Sequence, residues 1–251
     1  MSAQKRLLIL GGTGMACDLA ERATEMFAGT LDITSSLAGR TDNPRIPPGN
    51  MRTGGFGGGP GLADYIKKNA INLVVDATHP FAATISANAY DACLVTNTPR
   101  LILSRPPWAL PPGAKWMEAA NIADAAAILP SFAHRVLLTS GIGGIENFAG
   151  LKDIHFVVRL IEEPKQPLPL DDYSLVIARP PYSIEEETRL LAEHTIDTMV
   201  SKHSGGEATV AKIAAAIKAD VKIVLIARPL PEPGDRVESI DDALEWLESQ
   251  I

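Results

Sequence analysis

The stretch from Leu7 to Ala23 limits what this chain can fold into more than any other. Leu7–Leu10 is a short apolar run that breaks at Gly11, Gly12, Thr13 and Gly14, and helix-forming residues follow at once from Met15 to Ala23. Strand, glycine turn and helix together make the first unit of a nucleotide-binding α/β fold. The glycines let backbone approach a phosphate closely. The first N–H groups of the helix, and the positive end of its dipole, then face the anion. Counted from Gly12, the G-x-G-x-x-G template gives Gly12, Gly14 and then Cys17, so a small residue stands where the third glycine would. Gly11, Gly12, Thr13 and Gly14 are the expected cofactor contacts.

The next apolar run, Leu31–Ala38, reads as the second strand and ends at Gly39-Arg40-Thr41. In this fold the end of the second strand lies beside the adenine ribose. An acid there suits the 2′-hydroxyl of NAD, and an arginine suits the 2′-phosphate of NADP. Arg40 with Thr41 therefore favours NADP. From Thr41 to Gly61 the chain is rich in proline and glycine, which predicts a long loop. Arg45 and Arg52 make that loop cationic, and it is expected to cover an anionic substrate. Leu62–Asn69 reads as a short helix and Ile71–Asp76 as a third strand. Thr78 and His79 follow at its carboxyl end, where ligands of open parallel sheets gather. Both are expected to touch the cofactor, with His79 a candidate proton donor. Pro80 suits the first turn of a helix running to about Thr96.

Composition removes several classes of function. Hydrophobic residues make up 46% of the 251 positions, so the chain is globular. The formal net charge of −7 argues against a nucleic-acid or anionic-membrane binder. The two cysteines, Cys17 and Cys93, form no C-x-x-C pair, so neither a disulfide framework nor a metal site is expected. After Met1–Arg6 only four apolar residues precede the first glycine, too few for a secretory leader, and no run approaches a membrane span. A cytoplasmic setting follows as the expectation. The oligomeric state is not legible.

Arg100–Leu103 and Arg135–Thr139 read as the next strands, with a helix from Ile122 capped by Asn121. Strands then recur at His155–Arg159, Tyr173–Ala178, Thr198–Val200 and Lys222–Ala227. The helices between them have visible starts: Ser183 with Glu186 and Ser204 with Glu207 match the capping box, and Ser239 precedes the last helix. Alternating strands and helices imply parallel sheets. About nine strands suggest two Rossmann-like α/β domains with mostly parallel sheets and a cleft between them, residues 1–134 binding NADP and 135–251 contributing to the substrate site. Three strands end in Arg-Pro, at Arg105, Arg179 and Arg228; one or two of these arginines are expected to line the cleft. The segment Lys202-His203-Ser204-Gly205 opens a helix with glycines, an arrangement suited to a carboxylate or phosphate. Substrate contacts are accordingly expected at Arg45, Arg52, Arg105, Lys202, His203, Ser204 and Gly205.

The segments Gly11–Gly14, Gly39–Thr41, Gly54–Gly58 with Gly61-Leu62, Asp76–Ala82, Ser86–Ala89, Arg105-Pro106 with Trp108, Ser201-Lys202 with Ser204–Gly206, and Arg228-Pro229 occur together in this order. In this the chain resembles the precorrin-6A reductases of cobalamin biosynthesis over nearly its whole length. The resemblance implies NADPH-dependent reduction of one carbon–carbon double bond of the macrocycle, precorrin-6A to precorrin-6B, without metal or flavin. Met15 departs from the acid expected at that position, which speaks against chemistry there. The implied substrate is a tetrapyrrole bearing many carboxylates, and a chain of charge −7 grips it only through locally concentrated cations. Direct hydride transfer is the expected mechanism, with His79 or Lys202 as the candidate proton source. A short-chain dehydrogenase is disfavoured, because none of the four tyrosines has lysine four residues later. A non-catalytic NADPH sensor is the alternative of another class. It would not need Arg52 or Lys202. A phosphate-ligand binder using only the Ser204 turn is a third.

Overall fold

The computed structural model describes residues 4–39 and 44–251. Its elements run β1 (Lys5–Leu10), α1 (Gly14–Met26), β2 (Leu31–Leu37), β3 (Asn50–Thr53), α2 (Gly58–Lys68), β4 (Leu73–Asp76), α3 (Ala83–Thr96) and β5 (Arg100–Leu103). Then follow β6 (Trp116–Ala119), α4 (Ile122–Ile128), β7 (Arg135–Leu138), β8 (His155–Leu160), β9 (Tyr173–Ile177) and α5 (Ile184–Glu193). The chain closes with β10 (Thr198–Lys202), α6 (Ala211–Lys218), β11 (Lys222–Ile226), β12 (Asp235–Val237) and α7 (Ile240–Gln250). The described strands form two six-stranded sheets in which each pairing is parallel. The expectation of two parallel α/β units holds.

The expected division at residues 134 and 135 needs correction. The chain through Arg105, joined by Pro229–Ile251, makes one compact unit, and Pro106–Arg228 makes the other. Two short edge strands account for the shift. β6 has three of its four residues exposed and pairs with β11, so the second sheet begins well before β7. β12 is three residues long and pairs with β5, so the chain returns to the first sheet at its end. Edge strands bury little, and neither carries the apolar run that marks a central strand.

The first sheet has the order β3-β2-β1-β4-β5-β12, the Rossmann sequence of strands. The chain moves outward from β1 to β3 and then returns to place β4 beside β1. The switch point therefore lies between the carboxyl ends of β1 and β4. Helices α1 and α7 cover one face with Leu19, Ala20, Ala23, Ala243, Leu244 and Leu247 against Leu7, Ile9 and Val75. Helices α2 and α3 cover the other with Leu62, Ile66, Ala89 and Ala92 against Leu8, Leu10 and Val74. The small residues of α1 recur at 16, 20 and 23, one stripe of a helix, and let it lie close to the sheet.

The second sheet has the order β6-β11-β10-β7-β8-β9. Its switch point lies between β7 and β10. Ile213, Ala215 and Ala216 of α6 and Leu191 of α5 pack against Leu137, Val157, Met199, Ile223 and Leu225.

Three local expectations change. The proline- and glycine-rich segment after residue 41 contains a strand, β3, and α2 starts at Gly58 rather than Leu62. Pro80 sits in a turn ahead of α3, which begins at Ala83. The Ser204–Glu207 capping box is not formed: Gly206 stands at the N-cap of a short 3-10 turn, Glu207–Thr209, and α6 begins only at Ala211. Gly205 and Gly206 have φ of +64° and +86° and turn the chain before any helix starts. The other three expected caps hold, among them Asn121, which accepts from the Asp124 amide at the start of α4. Ser183 and Glu186 form the full capping box of α5, and Ser239 accepts from the Asp242 amide at the start of α7.

Candidate active site

At the first switch point Leu10 and Asp76 are register partners, so the turns leaving β1 and β4 start side by side. Thr13 ties them together. It is the N-cap of α1, accepting from the Ala16 amide at 3.1 Å, and its hydroxyl donates to the Ala77 carbonyl at 2.8 Å. The three glycines have different tasks. A Cβ on Gly11 would lie 3.4 Å from the Ala16 Cβ and 3.6 Å from the Ser36 carbonyl, so Gly11 serves close packing. A Cβ on Gly12 or Gly14 would meet nothing within 4 Å. Gly12 also has φ of +101°, a conformation that favours glycine. The first turn of α1 holds no acid, so nothing offsets the positive end of its dipole. Cys17, in the third-glycine position, is buried; burial is the main cause that raises its thiol pKa, and its Sγ approaches the Arg45 carbonyl at 3.7 Å. It packs and is not a nucleophile.

The facing turn is shaped by Asp76. This carboxylate is 2% exposed, and its Oδ1 accepts from both the Thr78 amide at 3.1 Å and the Thr78 hydroxyl at 2.7 Å. His79 Nδ1 accepts from the Phe81 amide at 3.2 Å. In the neutral ring that assigns the proton to Nε2. Thr78 and His79 therefore stand across the switch point from the glycine turn, as the sequence suggested. Asp76, which holds Thr78 there, is not among the expected site residues. Its signal was a lone acid ending an otherwise apolar strand.

The cations expected on the long loop separate once their partners are known. Arg40 and Thr41 lie outside the described residues. Arg45 donates to Asp18 at 2.6 Å and Glu21 at 2.7 Å, so its charge is met twice by α1. Arg52 lies on β3 in register with Ser36 of β2. It donates to the Ser36 hydroxyl at 2.7 Å and to the carbonyls of Gly54 and Gly55 at 2.9 and 3.0 Å, with its guanidinium 3.8 Å over the Phe56 ring. Arg105 follows β5 by two residues, and burial draws its pKa below the ordinary guanidinium value. Of the other Arg-Pro arginines, Arg179 pairs with Glu162, and Arg228 donates to the carbonyls of His203 and Ser204 at 2.8 and 2.9 Å.

The second unit carries its own turn at the carboxyl end of β10. Lys202 ends that strand and is half-buried. His203 is clamped: its Nε2–H donates to the Trp108 carbonyl at 2.9 Å, and its Nδ1 lies 3.6 Å from Glu118. Trp108 stacks on the imidazole and donates its indole N–H to the Gly206 carbonyl at 2.9 Å. A Cβ on Gly205 would sit 1.9 Å from the Pro106 carbonyl oxygen and 2.8 Å from an Arg228 Nη. With φ at +64° as well, Gly205→Ala is expected to cost at least about 2–3 kcal/mol of stability. The denaturant midpoint of the variant measures this. Lys212 of α6, 5% exposed, reaches the Thr139 hydroxyl at 3.3 Å and lies 5.2 Å from the Trp108 ring centroid. The only sign of it in the sequence was a lysine at a helix position flanked by buried Ala211 and Ile213. Because α6 starts at Ala211, its dipole gives Ser204 less support than the expected capping box implied.

His155, between Asp172 at 2.8 Å and Ser174 at 2.9 Å, has the connectivity of a hydrolytic triad. It opens β8, however, and so lies at the amino ends of the strands, away from where ligands gather. Among the described residues no three His, Cys, Asp or Glu side chains come together to hold a metal ion, and no helix is long and apolar enough to cross a membrane.

A parallel sheet of Rossmann order with an open glycine turn, and a second parallel sheet in its own unit, define an α/β protein of the Rossmann class. The family described as Precorrin-6x reductase CbiJ/CobK matches residues 6–248. The chain is 42% identical to a "Precorrin-6A reductase" of Rhodococcus erythropolis, over 96% of this chain and 97% of that one. It is 38% identical to one from Rhodobacter capsulatus, over 96% and 95%. A solved structure titled "CobK precorrin-6A reductase" superposes with a TM-score of 0.92 at 37% identity, covering 98% of this chain and 97% of the other. The chain belongs to the precorrin-6x reductase family.

Proposed function

We propose that the chain is a precorrin-6A reductase that converts precorrin-6A to precorrin-6B with NADPH as reductant. The observation that carries the cofactor part of this reading is the open space over Gly12 and Gly14 at the switch point of the first sheet. Its fit to a dinucleotide is good. The backbone of Gly11, Gly12, Thr13 and Gly14 offers N–H groups to a pyrophosphate, with no acid in the first helical turn to repel it. Thr78 and His79 follow the neighbouring strand β4, and Arg40 with Thr41, expected at the 2′-phosphate, lie outside the described residues. The substrate and the reaction rest on the high identity to relatives bearing that name.

When bound, NADPH supplies a hydride, two electrons and one hydrogen, to one carbon of the reacting double bond. The protein's part is to hold the two reacting carbons together and to let one proton reach the neighbouring atom. His79 is the candidate donor as its imidazolium, a form in which Nδ1 gives up the bond it accepts from the Phe81 amide, and Lys202 is the second. Arg105, Lys202, His203, Ser204 and the Gly205 N–H are the groups offered to substrate carboxylates. Arg45 contributes less, because its charge is already spent on α1.

The test mixes purified protein, NADPH and precorrin-6A and follows the nicotinamide absorbance. Oxidation of NADPH with formation of precorrin-6B is expected, and NADH is expected to be a poor substitute. Binding of NADPH without turnover of precorrin-6A would instead favour the sensor. His79→Ala is expected to lower turnover about a hundredfold at saturating NADPH. Full turnover at unchanged affinity would remove His79 from proton transfer.

A further inference from the structure

We infer that Arg52 reads the 2′-phosphate of the dinucleotide rather than a carboxylate of the macrocycle. This deepens the cofactor reading above and rests on it. The first argument is topological. In a sheet of Rossmann order the adenine ribose lies at the carboxyl end of the second strand. Arg52 is register partner to Ser36, next to last in β2, and donates to its hydroxyl. The pairing continues beyond the strands, with the Gly54 amide donating to the Leu37 carbonyl at 2.9 Å. Gly39 stays against the same strand: a Cβ there would stand 2.9 Å from the Thr53 methyl. The backbone that leads into Arg40 therefore leaves β2 alongside β3.

The second argument is charge. Arg45 and Arg52 come from one loop region and look alike in sequence. Arg45 is neutralised by two carboxylates. Arg52 donates to a hydroxyl and two backbone carbonyls, and among the described residues no carboxylate lies within ion-pair distance of it. These neutral acceptors fix the guanidinium without cancelling its charge. The Phe56 and Tyr65 ring centroids lie 3.8 and 5.2 Å from it, adding contacts that carry no charge. A planar fork, held in place and still positive, matches a phosphate dianion. The competing view is that Arg52 only pins the turn at Gly54 and Gly55. That role affects NAD and NADP equally, whereas phosphate recognition affects one.

The test is equilibrium titration of the full ligand-free chain with NADP+ and with NAD+, for the native protein, Arg52→Met and Arg52→Lys. Arg52→Met is expected to weaken NADP+ about tenfold or more and to leave NAD+ within about twofold. Arg52→Lys, which keeps the charge and loses the fork, is expected to fall between, and it preserves the test if the methionine variant does not fold. The same ranking is expected for 2′,5′-ADP against 5′-ADP. Retained preference for NADP+ in both variants overturns the inference, as does an equal loss for the two dinucleotides. A native protein that binds NAD+ as tightly as NADP+ would overturn the NADPH reading itself, a result distinct from either.

Discussion

Gly14→Val is expected to abolish NADPH binding while the fold persists. Position 14 is the first residue of α1, and its φ is not in the left-handed region. A Cβ there meets nothing within 4 Å, so the protein alone gives valine room. The loss arises only when a pyrophosphate has to approach the backbone over that spot, which is the use of the second glycine in this turn. Displacing the phosphate from the helix N-terminus removes several charge-assisted bonds at once. An affinity loss of about a hundredfold or more, equivalent to roughly 2.7 kcal/mol, is expected. Calorimetric titration with NADP+ gives the affinity, and thermal unfolding of the ligand-free chain gives the control. Gly12→Val is a poorer experiment, because φ of +101° makes any side chain there strained before a ligand arrives. Tight NADP+ binding by the Gly14 variant would mean that the dinucleotide does not use this turn.

The largest expected effect on stability comes from Glu187→Ala. Glu187 of α5 and Arg159 of β8 form an ion pair at 2.6 Å with side chains 1% and 6% exposed. The guanidinium also lies 4.2 Å from the Tyr182 ring. Removing the carboxylate leaves a buried cation without its counter-charge, which costs about 3–5 kcal/mol in comparable cases. The pair is nevertheless not optimal, since the second Glu187 oxygen is buried without a hydrogen-bond partner. Replacing both residues with apolar ones, Arg159→Met with Glu187→Leu, is therefore expected to cost far less than either single change. Urea midpoints for the two single variants and the double variant close the cycle. The Tyr182 phenol gives an independent reading. Burial raises its pKa most, Arg159 lowers it and Glu187 raises it, so the Glu187 variant should titrate at lower pH in the ultraviolet. A double variant as unstable as Glu187→Ala would show that packing, not charge, governs the site.

Both predictions depend on details that differ in how far the sequence exposed them. Central stretches such as Leu7–Leu10 and Ile223–Ile226 are covered on two faces, so they appear as unbroken apolar runs. The edge strands β3, β6 and β12 satisfy only one neighbour and expose most of their residues, which removes the pattern. Missing β6 and β12 is what displaced the expected domain boundary. The glycine turn was legible because its residues are close in sequence and each has few conformational alternatives. That Gly11 packs while Gly14 stays open required the neighbouring strand. Arg45 and Arg52 could not be told apart, because what separates them is Asp18 and Glu21 on one side and Ser36 on the other. The roles of Trp108 and Lys212 are hidden for a similar reason, since they lie in bonds to residues far along the chain, whereas Asp76 acts on Thr78 only two residues away.

The return of Pro229–Ile251 to the first unit has a consequence for how the chain is made. The apolar side of α1 is completed by Ala243, Leu244 and Leu247, which are made only after the whole of the second unit. During translation the second unit has all its strands before the first has its sixth, so the earlier-made half waits with an unfinished flank while the later-made half can close. Any delay or stop soon after Arg228 therefore spoils the part of the protein that was synthesised first.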